Sequence, residues 1–226
     1  MTGVLSKSCP YARVVNFPHH HEDQQPGHSL DAAGWDERYS AEPVWSGNPN
    51  HALVAEVGDL EAGSALDIGC GEGADAVWLA QRGWTVTALD ISGNAVARTL
   101  THAENAGVAV DGVVGAFGEV PLPGPFGLVS AQYPVLPKGD EKLEEVAGLV
   151  APGGTLLFVH HADLDREHAL SHGWDPDDYL MPAAVAAFLA AREGWQVVVD
   201  EVRERHVEAG QGAGHTADHV VRAHRN

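Results

Sequence analysis

The stretch SALDIGCGEGADAVWLA, residues 64–80, joins two apolar runs through a glycine-rich turn. The first run predicts a buried strand that ends near Ile68, and the second predicts a helix that begins near Gly73. Gly69, Gly71 and Gly73 leave this backbone without side chains, so that a ligand can approach it closely. A helix N-terminus also presents unpaired N–H groups and the positive end of a dipole. We therefore expect the turn to bind a polar ligand at the carboxyl end of the strand.

Two acidic residues accompany this turn in the predicted sheet. Asp67 lies two residues before Gly69, and Asp90 closes the next predicted strand in TALDIS, residues 87–92. The run from Gly69 to Ala74 also fits the loose glycine pattern of dinucleotide-binding proteins, in which an apolar residue is expected at the position of Asp67. A carboxylate there suits a cationic or amine-bearing ligand. The acid at the end of the second strand binds ribose hydroxyls under either interpretation.

The chain divides into an irregular beginning and a regular remainder. Residues 1–30 mix Pro, Gly, His and charged residues without a period, which predicts a flexible or lid-like N-terminal arm. Residues 31–226 alternate strand and helix patterns and finish with two β-rich stretches joined by a glycine-rich loop. This order predicts one α/β domain with a Rossmann-like, doubly wound, seven-stranded and mostly parallel sheet that ends in an antiparallel hairpin.

The charge balance of the chain excludes several classes of partner. Its 226 residues include 13 Lys and Arg against 32 Asp and Glu, a formal net charge of −19, and the basic residues do not cluster. Such a chain repels phosphate backbones, so we expect no nucleic-acid partner.

No apolar run approaches the ~20 residues of a spanning helix. The two cysteines, Cys9 and Cys70, are too few for a disulfide framework. We predict a cytoplasmic monomer or homodimer that acts on a small molecule, without a membrane partner.

The pattern D-x-G-x-G-x-G at residues 67–73, followed by the acid of the second strand, resembles the class I S-adenosylmethionine-dependent methyltransferases. In that family the glycine loop approaches the methionine part of the cofactor and the second acid holds the ribose. The resemblance implies S-adenosylmethionine as cofactor and methyl transfer as the reaction. Near the end of the third strand, where the family often has an acid, residues 115–118 of this chain are Gly-Ala-Phe-Gly. The residues implied to bind the cofactor are Asp67, Gly69, Cys70, Gly71, Gly73, Asp90, Ile91, Ala116 and Phe117.

The segment before the first predicted core helix is similar to one subgroup of this family. It has the pattern W-x-x-x-Y at residues 35–39, followed by P-x-W-x-x-x-P at residues 43–49. Both patterns are typical of the thiopurine and tellurite-resistance methyltransferases, in which this segment folds over the cofactor and substrate. The resemblance implies that Tyr39 and Trp45 line the site, where aromatic rings suit a sulfonium cation. Alternatively, these aromatic residues only attach the segment to the core.

The methyl acceptor is predicted only by class. We expect a small molecule, either a soft nucleophile such as a thiol, halide or tellurite, or a small heterocycle. The Asn-Pro-Pro-Tyr signature of amino-nitrogen methyltransferases is absent, because residues 131–134 are Ala-Gln-Tyr-Pro. Two alternatives remain open: an NAD(P)-dependent oxidoreductase, and a catalytically silent protein that only binds the cofactor.

Candidate catalytic residues follow the fourth and fifth strands of the predicted domain. An acceptor that must lose a proton needs a base, and His160, with His161 beside it, and Tyr133 lie at carboxyl ends of strands on the cofactor side. We predict no metal site. HHHED at residues 19–23 and the pair His168 and His172 lack a complete ligand set at a recognised spacing.

Overall fold

The computed structural model describes residues 12–16, 30–171, 173–205 and 214–226, and its strands form a single sheet with helices on both faces. A short 3-10 turn also occurs at Pro176–Asp178. The elements in chain order are β1 Ala12–Asn16, α1 Ala32–Arg38, α2 His51–Val57, β2 Ser64–Ile68, α3 Ala74–Gln81, β3 Thr85–Asp90, α4 Gly93–Ala106, β4 Val110–Val114, β5 Phe126–Gln132, α5 Asp140–Gly148, β6 Val150–His161, α6 Arg166–Ser171, α7 Pro182–Ala190, β7 Trp195–Glu204 and β8 Ala217–Arg225.

The strands lie in the order β1-β4-β3-β2-β5-β6-β8-β7. The neighbours from β4 to β6 pair in parallel, and β8 pairs antiparallel with both β6 and β7. The predicted seven-stranded, mostly parallel sheet with a terminal antiparallel hairpin is therefore confirmed. One further strand, β1, extends the edge in parallel with β4 and comes from the segment predicted as an arm. The rest of residues 1–29 lies outside the described residues, and so does the histidine cluster at 19–23.

Local signals in the sequence explain where the helices begin and end. The Ser92 hydroxyl accepts from the Ala95 N–H and begins α4, which ends at Gly107 in the left-handed conformation. Two short helices were not predicted. Asp31 begins α1 by accepting from the Gly34 N–H, and α6 lies in the segment between β6 and α7.

The alternation of side chains along β2 positions Asp67. Leu66 and Ile68 point toward the apolar cluster that contains α5 and α7, whereas Ala65 points toward the cluster that contains α2, α3 and α4. Asp67 shares the face of Ala65 because side chains repeat every two residues along a strand. Its carboxyl group therefore lies under the start of α3, at the carboxyl end of the sheet. Within the described residues, no helix is both long and apolar enough to cross a membrane.

Candidate functional site

The glycine loop is hydrogen-bonded to the end of β3. The backbone N–H groups of Gly69 and Cys70 donate to Leu89 O at 2.8 and 3.0 Å, and the Gly71 N–H donates to Asp90 Oδ2 at 2.9 Å. Gly69, Gly71 and Gly73 all have positive φ angles of 73°, 53° and 84°. This conformation is costly for other residues, which explains the spacing of glycines in the sequence.

Two of these glycines are also needed for space. A Cβ atom on Gly71 would lie 3.1 Å from Tyr39 Oη and 3.2 Å from Trp45 Nε1. A Cβ atom on Gly73 would lie 2.6 Å from the side chain of Thr99 in α4, closer than real contacts allow. The loop is therefore enclosed by α4 on one side and by the aromatic residues of the preceding segment on the other.

Asp67 is buried beneath this loop with one acceptor unused. Its side chain is only 2% exposed, and Oδ2 has no hydrogen-bond partner among the described residues. Burial, and then the nearby Asp75 and Asp90 carboxylates, raise the pKa of Asp67 well above its usual range. An unsatisfied buried acceptor is costly. A ligand that brings an ammonium group would satisfy it, so the residues present fit an amino-acid-like part of a cofactor.

Asp90 ends β3 beside the loop. Its Oδ1 accepts from the Ser92 N–H and its Oδ2 from the Gly71 N–H, both at 2.9 Å. Burial raises the pKa of Asp90, and these backbone donors oppose that shift. Each carboxylate oxygen can accept a second hydrogen bond. The two hydroxyl groups of a ribose could donate these bonds. Ile91, which follows, is partly exposed at the same edge.

The segment from Asp31 to Asn50, which we call the lead-in, is attached to the glycine loop by acidic side chains. Glu72, inside the loop, accepts from the backbone N–H groups of Val44 and Trp45 and forms an ion pair with Arg98 of α4. Asp75 accepts from both the backbone and the side chain of Asn50 at 2.7 Å. Glu72 of the loop and Asp75 of α3 therefore hold the lead-in against the glycine loop.

The two aromatic residues predicted in the lead-in meet each other there. Trp45 Nε1 donates to Tyr39 Oη at 2.9 Å. Tyr39 is buried at 4% exposure, whereas Trp45 is 37% exposed. Burial, and then Asp90, raise the pKa of Tyr39 above its usual range. Both rings therefore lie at the loop, in agreement with the interpretation as a lid and equally with attachment to the core.

The turn after β4 carries the two residues predicted to contact the adenine. Phe117 is buried in the same apolar cluster as Val113 and Leu143, and Lys142 Nζ donates to its carbonyl oxygen at 3.3 Å. Its ring therefore packs in the core. Ala116 is half-buried at the surface of this turn. The adenine role of these two residues stays a prediction.

The candidate catalytic residues gather at the carboxyl ends of β5 and β6. Tyr133 has the left-handed φ of 53°, unusual for a non-glycine residue and a frequent sign of a functional position. Its hydroxyl donates to Asp218 Oδ2 at 2.7 Å and accepts from Arg205 Nε at 3.1 Å. Burial, and then Asp218, raise the pKa of Tyr133 above its usual range. Tyr133 is therefore neutral and already engaged, which disfavours it as a base.

The two adjacent histidines lie in different environments. His160 is 7% exposed, its Nδ1 has no partner among the described residues, and burial and then His161 lower its pKa to about 4. His161 points to the opposite face of the sheet, where its Nδ1 lies 3.2 Å from Asp218 Oδ1. Its ring stacks between Tyr133 and His215, with centroids 4.3 and 3.8 Å apart.

Three side chains of this region approach one another as metal ligands do. Donor atoms of His161, Asp163 and His215 all lie within 4.8 Å of one another. However, the two imidazoles stack face to face with an angle of 13° between their planes. The lone pairs of a histidine lie in the ring plane, so two parallel rings cannot direct them at one ion. His168, in α6, belongs to a different segment, and His172 lies outside the described residues.

Several of these residues were not predicted from the sequence. Glu72 and Asp75 fall inside the recognised loop and at the start of α3, and an acid within a glycine turn was the available signal. Arg205 and Asp218 belong to the hairpin, 72 and 85 residues beyond Tyr133. Only the sheet order, which places β8 beside β6, brings them to Tyr133.

Comparisons with known proteins agree with this geometry. Residues 65–154 match the model of a methyltransferase domain. A ubiquinone biosynthesis O-methyltransferase of Caulobacter sp. (strain K31) is 34% identical over 145 residues, covering 55% of this chain and 56% of that protein. The chain therefore spans little more than half the length of this curated relative.

Solved structures show the same fold. The N-methyltransferase NodS from Bradyrhizobium japonicum WM9, in complex with S-adenosylhomocysteine, aligns with a TM-score of 0.62 over 86% of this chain and 97% of that one, at 16% identity. TehB from Haemophilus influenzae aligns with a TM-score of 0.58 over 86% and 66%, at 12% identity. The matches confirm a methyltransferase domain at residues 65–154, and the solved structures agree with the fold predicted for it.

Proposed function

We propose that this chain, which carries a methyltransferase domain over residues 65–154, transfers a methyl group from S-adenosylmethionine to a small-molecule acceptor. The observation that carries the proposal is the unused acceptor of Asp67 beneath the glycine loop, beside the carboxylate of Asp90. An ammonium group and a ribose diol are the two polar features of this cofactor that such acceptors suit.

Each predicted cofactor residue has a place in this proposal. Asp67 accepts from the ammonium, the bare backbone at Gly69, Cys70, Gly71 and Gly73 contacts the methionine part, and Asp90 holds the ribose. Cys70 supplies backbone only, because burial raises the pKa of its thiol and Thr99 Oγ1 lies 3.6 Å from its sulfur. Ile91 and the turn at Ala116 and Phe117 form the adenine side.

The lead-in closes this site in the proposal. Tyr39 and Trp45 lie close enough to Gly71 to exclude water from the loop, and aromatic faces stabilise a sulfonium cation. We retain the interpretation as a lid, and with it the relation to the thiopurine and tellurite-resistance group. The patterns at residues 35–39 and 43–49 support that relation; the likeness to TehB is one of fold alone.

The chemistry asks little of the protein beyond alignment. The cofactor supplies an activated methyl group on a positively charged sulfur. The chain has to hold the acceptor in line with that group and keep water out. The loop with the lead-in over it, and the rings at the ends of β5 and β6, lie along the carboxyl edge of the sheet and supply the groups for this task.

The acceptor is a small molecule in this proposal, and the cytoplasm is the proposed location. The net charge of −19 disfavours a nucleic-acid acceptor. Soft nucleophiles and small heterocycles remain the classes expected from the sequence. The Caulobacter relative is named as an O-methyltransferase, which adds hydroxyl groups to the acceptors to be examined.

A turnover assay tests the proposal. The purified chain is incubated with S-adenosylmethionine and panels of thiols, halides, tellurite, heterocycles and phenols, and S-adenosylhomocysteine is quantified. We expect its release with at least one panel, and far less from the Asp90→Ala variant. Exposed Asp111→Ala in β4 is the matched control. Binding of S-adenosylhomocysteine without any turnover would favour the silent cofactor-binding protein, and oxidation of a reduced nicotinamide would favour the oxidoreductase.

A further inference from the structure

The hydrogen bonds around Asp218 fix the state of His161. Asp218 Oδ2 accepts from the Tyr133 hydroxyl at 2.7 Å, and Arg205 Nε lies 3.4 Å from the same oxygen. Its Oδ1 lies 3.2 Å from His161 Nδ1. A carboxylate only accepts, so His161 carries its proton on Nδ1. The other ring nitrogen, Nε2, then holds an unshared electron pair.

The surroundings keep this imidazole neutral. Burial lowers the pKa of His161. The neighbouring His215 and Arg205 also lower it, whereas the hydrogen bond and the charge of Asp218 raise it. The titratable and charged groups around it come from every adjoining element: Asp218 of β8, Tyr133 after β5, His160 of β6, Asp163 after β6, Arg205 after β7 and His215 before β8. At neutral pH such a histidine accepts protons and does not donate them.

The sheet places His161 on the cofactor side. Asp67 of β2 pairs with Ser130 of β5, which pairs in turn with Leu157 of β6, so the three share one face. His161 lies four residues beyond Leu157 and hence on that face. Two strand spacings separate β6 from β2, about 10 Å across the sheet, and four residues add about 13 Å toward its carboxyl edge. The glycine loop rises from β2 toward the same level.

The rings around His161 suit a flat acceptor. Tyr133, His161 and His215 form a continuous stack, with angles of 28° and 13° between neighbouring planes. Aromatic walls of this kind favour planar ligands.

We propose that His161, oriented by Asp218, is the general base of the reaction, and that the acceptor is a phenolic hydroxyl. This inference rests on the proposed function and names its acceptor. A phenol has a pKa of about 10, so a neutral imidazole can remove its proton during the reaction. An aliphatic alcohol is too weakly acidic to lose its proton to an imidazole. His160, the residue predicted from the sequence, lies on the other face and is not the base.

The proton and electrons balance in this step. His161 Nε2 removes the hydroxyl proton while the phenolic oxygen forms a bond to the methyl carbon of S-adenosylmethionine. The carbon–sulfur bond breaks, and its electron pair stays on sulfur to give neutral S-adenosylhomocysteine. The imidazolium, stabilised by the Asp218 carboxylate, then releases its proton to water. Tyr133 and Arg205 keep Asp218 in place and act as positioning residues.

The test compares acceptors that need a base with acceptors that do not. Aryl thiols are largely ionised at about pH 8, whereas phenols are not. Matched phenols and thiophenols are assayed with S-adenosylmethionine and the His161→Ala variant. We expect at least a hundredfold loss of phenol methylation, less than a fivefold loss with thiophenols, and partial rescue by added imidazole. S-adenosylhomocysteine affinity, measured by calorimetry, should stay within twofold and also reports correct folding.

Two further variants separate catalysis from structure. His219→Gln removes the histidine of a similar His–Asp pair, with Asp200, on the opposite face of β8, and should leave both activities unchanged. Asp218→Asn should lower phenol methylation and shift its pH profile. Should His161→Ala fold poorly, ring nitrogen NMR of the wild-type chain replaces it, and protonation of Nε2 in neutral His161 would overturn the inference.

Each outcome has a defined meaning. Phenol methylation that survives His161→Ala, or a wild type that methylates only thiophenols, overturns the inference and leaves the proposed function standing. Methylation of neither class, with S-adenosylhomocysteine bound, overturns the phenolic acceptor. No binding of S-adenosylhomocysteine overturns the proposed function itself.

Discussion

Asp67 combines a cost in stability with a role in binding. The raised pKa means that the folded state holds a proton on Asp67 at pH values where the unfolded state has lost it. Stability therefore falls as pH rises from about 3.9, the usual pKa, through the raised value. Above that window the folded chain contains a buried carboxylate with an unused oxygen.

Replacement of this carboxylate should separate the two effects. We expect Asp67→Asn to raise the melting temperature of the ligand-free chain by about 2–4 °C near pH 8, equivalent to about 1 kcal/mol. The gain should shrink toward pH 4, while S-adenosylhomocysteine binds roughly tenfold more weakly. Differential scanning calorimetry measures the melting temperature, and titration calorimetry measures the affinity for S-adenosylhomocysteine. The exposed Asp111→Asn variant is the control. A stabilisation that is the same at every pH would contradict the assignment.

Gly73 shows why this loop uses glycine. A Gly73→Ala change adds both a left-handed alanine and a clash with Thr99, whereas Gly107→Ala adds only the left-handed residue, with nothing within 4 Å. The backbone term costs about 1–2 kcal/mol in either case. We expect Gly73→Ala to lose clearly more free energy of unfolding than Gly107→Ala in urea titrations. Equal losses would mean that Thr99 moves aside freely.

Among the elements, the lead-in depends on Glu72 for its attachment. Glu72 is 5% exposed and holds two backbone N–H groups and the Arg98 guanidinium. In Glu72→Gln the charge-assisted bonds become neutral ones, which are about half as strong. We expect amide exchange in residues 41–47 to accelerate by about tenfold, the effect of ~1.4 kcal/mol.

The control for that measurement is Glu104→Gln, on the exposed surface of α4. Exchange in α3 and β3 should not change in either variant. Unchanged exchange in residues 41–47 would show that Asp36, whose carboxylate accepts from Ser92 Oγ at 2.6 Å, and the aromatic contacts suffice to hold the lead-in.

The element pattern was largely predictable from sequence, and the acceptor side was not. Glycines, Ser92 and the apolar runs are local signals, so they predicted the helices and strands around the cofactor. The base could not be chosen locally, because His160 and His161 are neighbours and only strand alternation and pairing with β8 separate them. Asp218 is remote in sequence and close only in the folded sheet. Helix α1 has no fully buried residue and α6 buries only Ala169, so neither has an apolar periodic pattern in the sequence.

For the whole molecule, the net charge of −19 adds a general repulsion to folding. Salt screens such repulsion, with a Debye length that falls from about 30 Å at 0.01 M to about 3 Å at 1 M. We expect the melting temperature to rise by several degrees between these concentrations, measured in sodium chloride by scanning calorimetry. Surface ion pairs, which salt also weakens, each contribute little to stability. A fall in melting temperature with salt would show that the loss of ion pairs outweighs the screening of the general repulsion.

We propose that S-adenosylmethionine binds at the carboxyl ends of β2 and β3 through Asp67, the glycine loop and Asp90. Calorimetric titration of the full chain with S-adenosylhomocysteine tests it most directly, since no acceptor has to be known. We expect one site per chain with micromolar affinity, weakened at least tenfold in Asp90→Asn and unchanged in Asp111→Asn. No heat of binding, with saturable binding of a reduced nicotinamide dinucleotide instead, would contradict it.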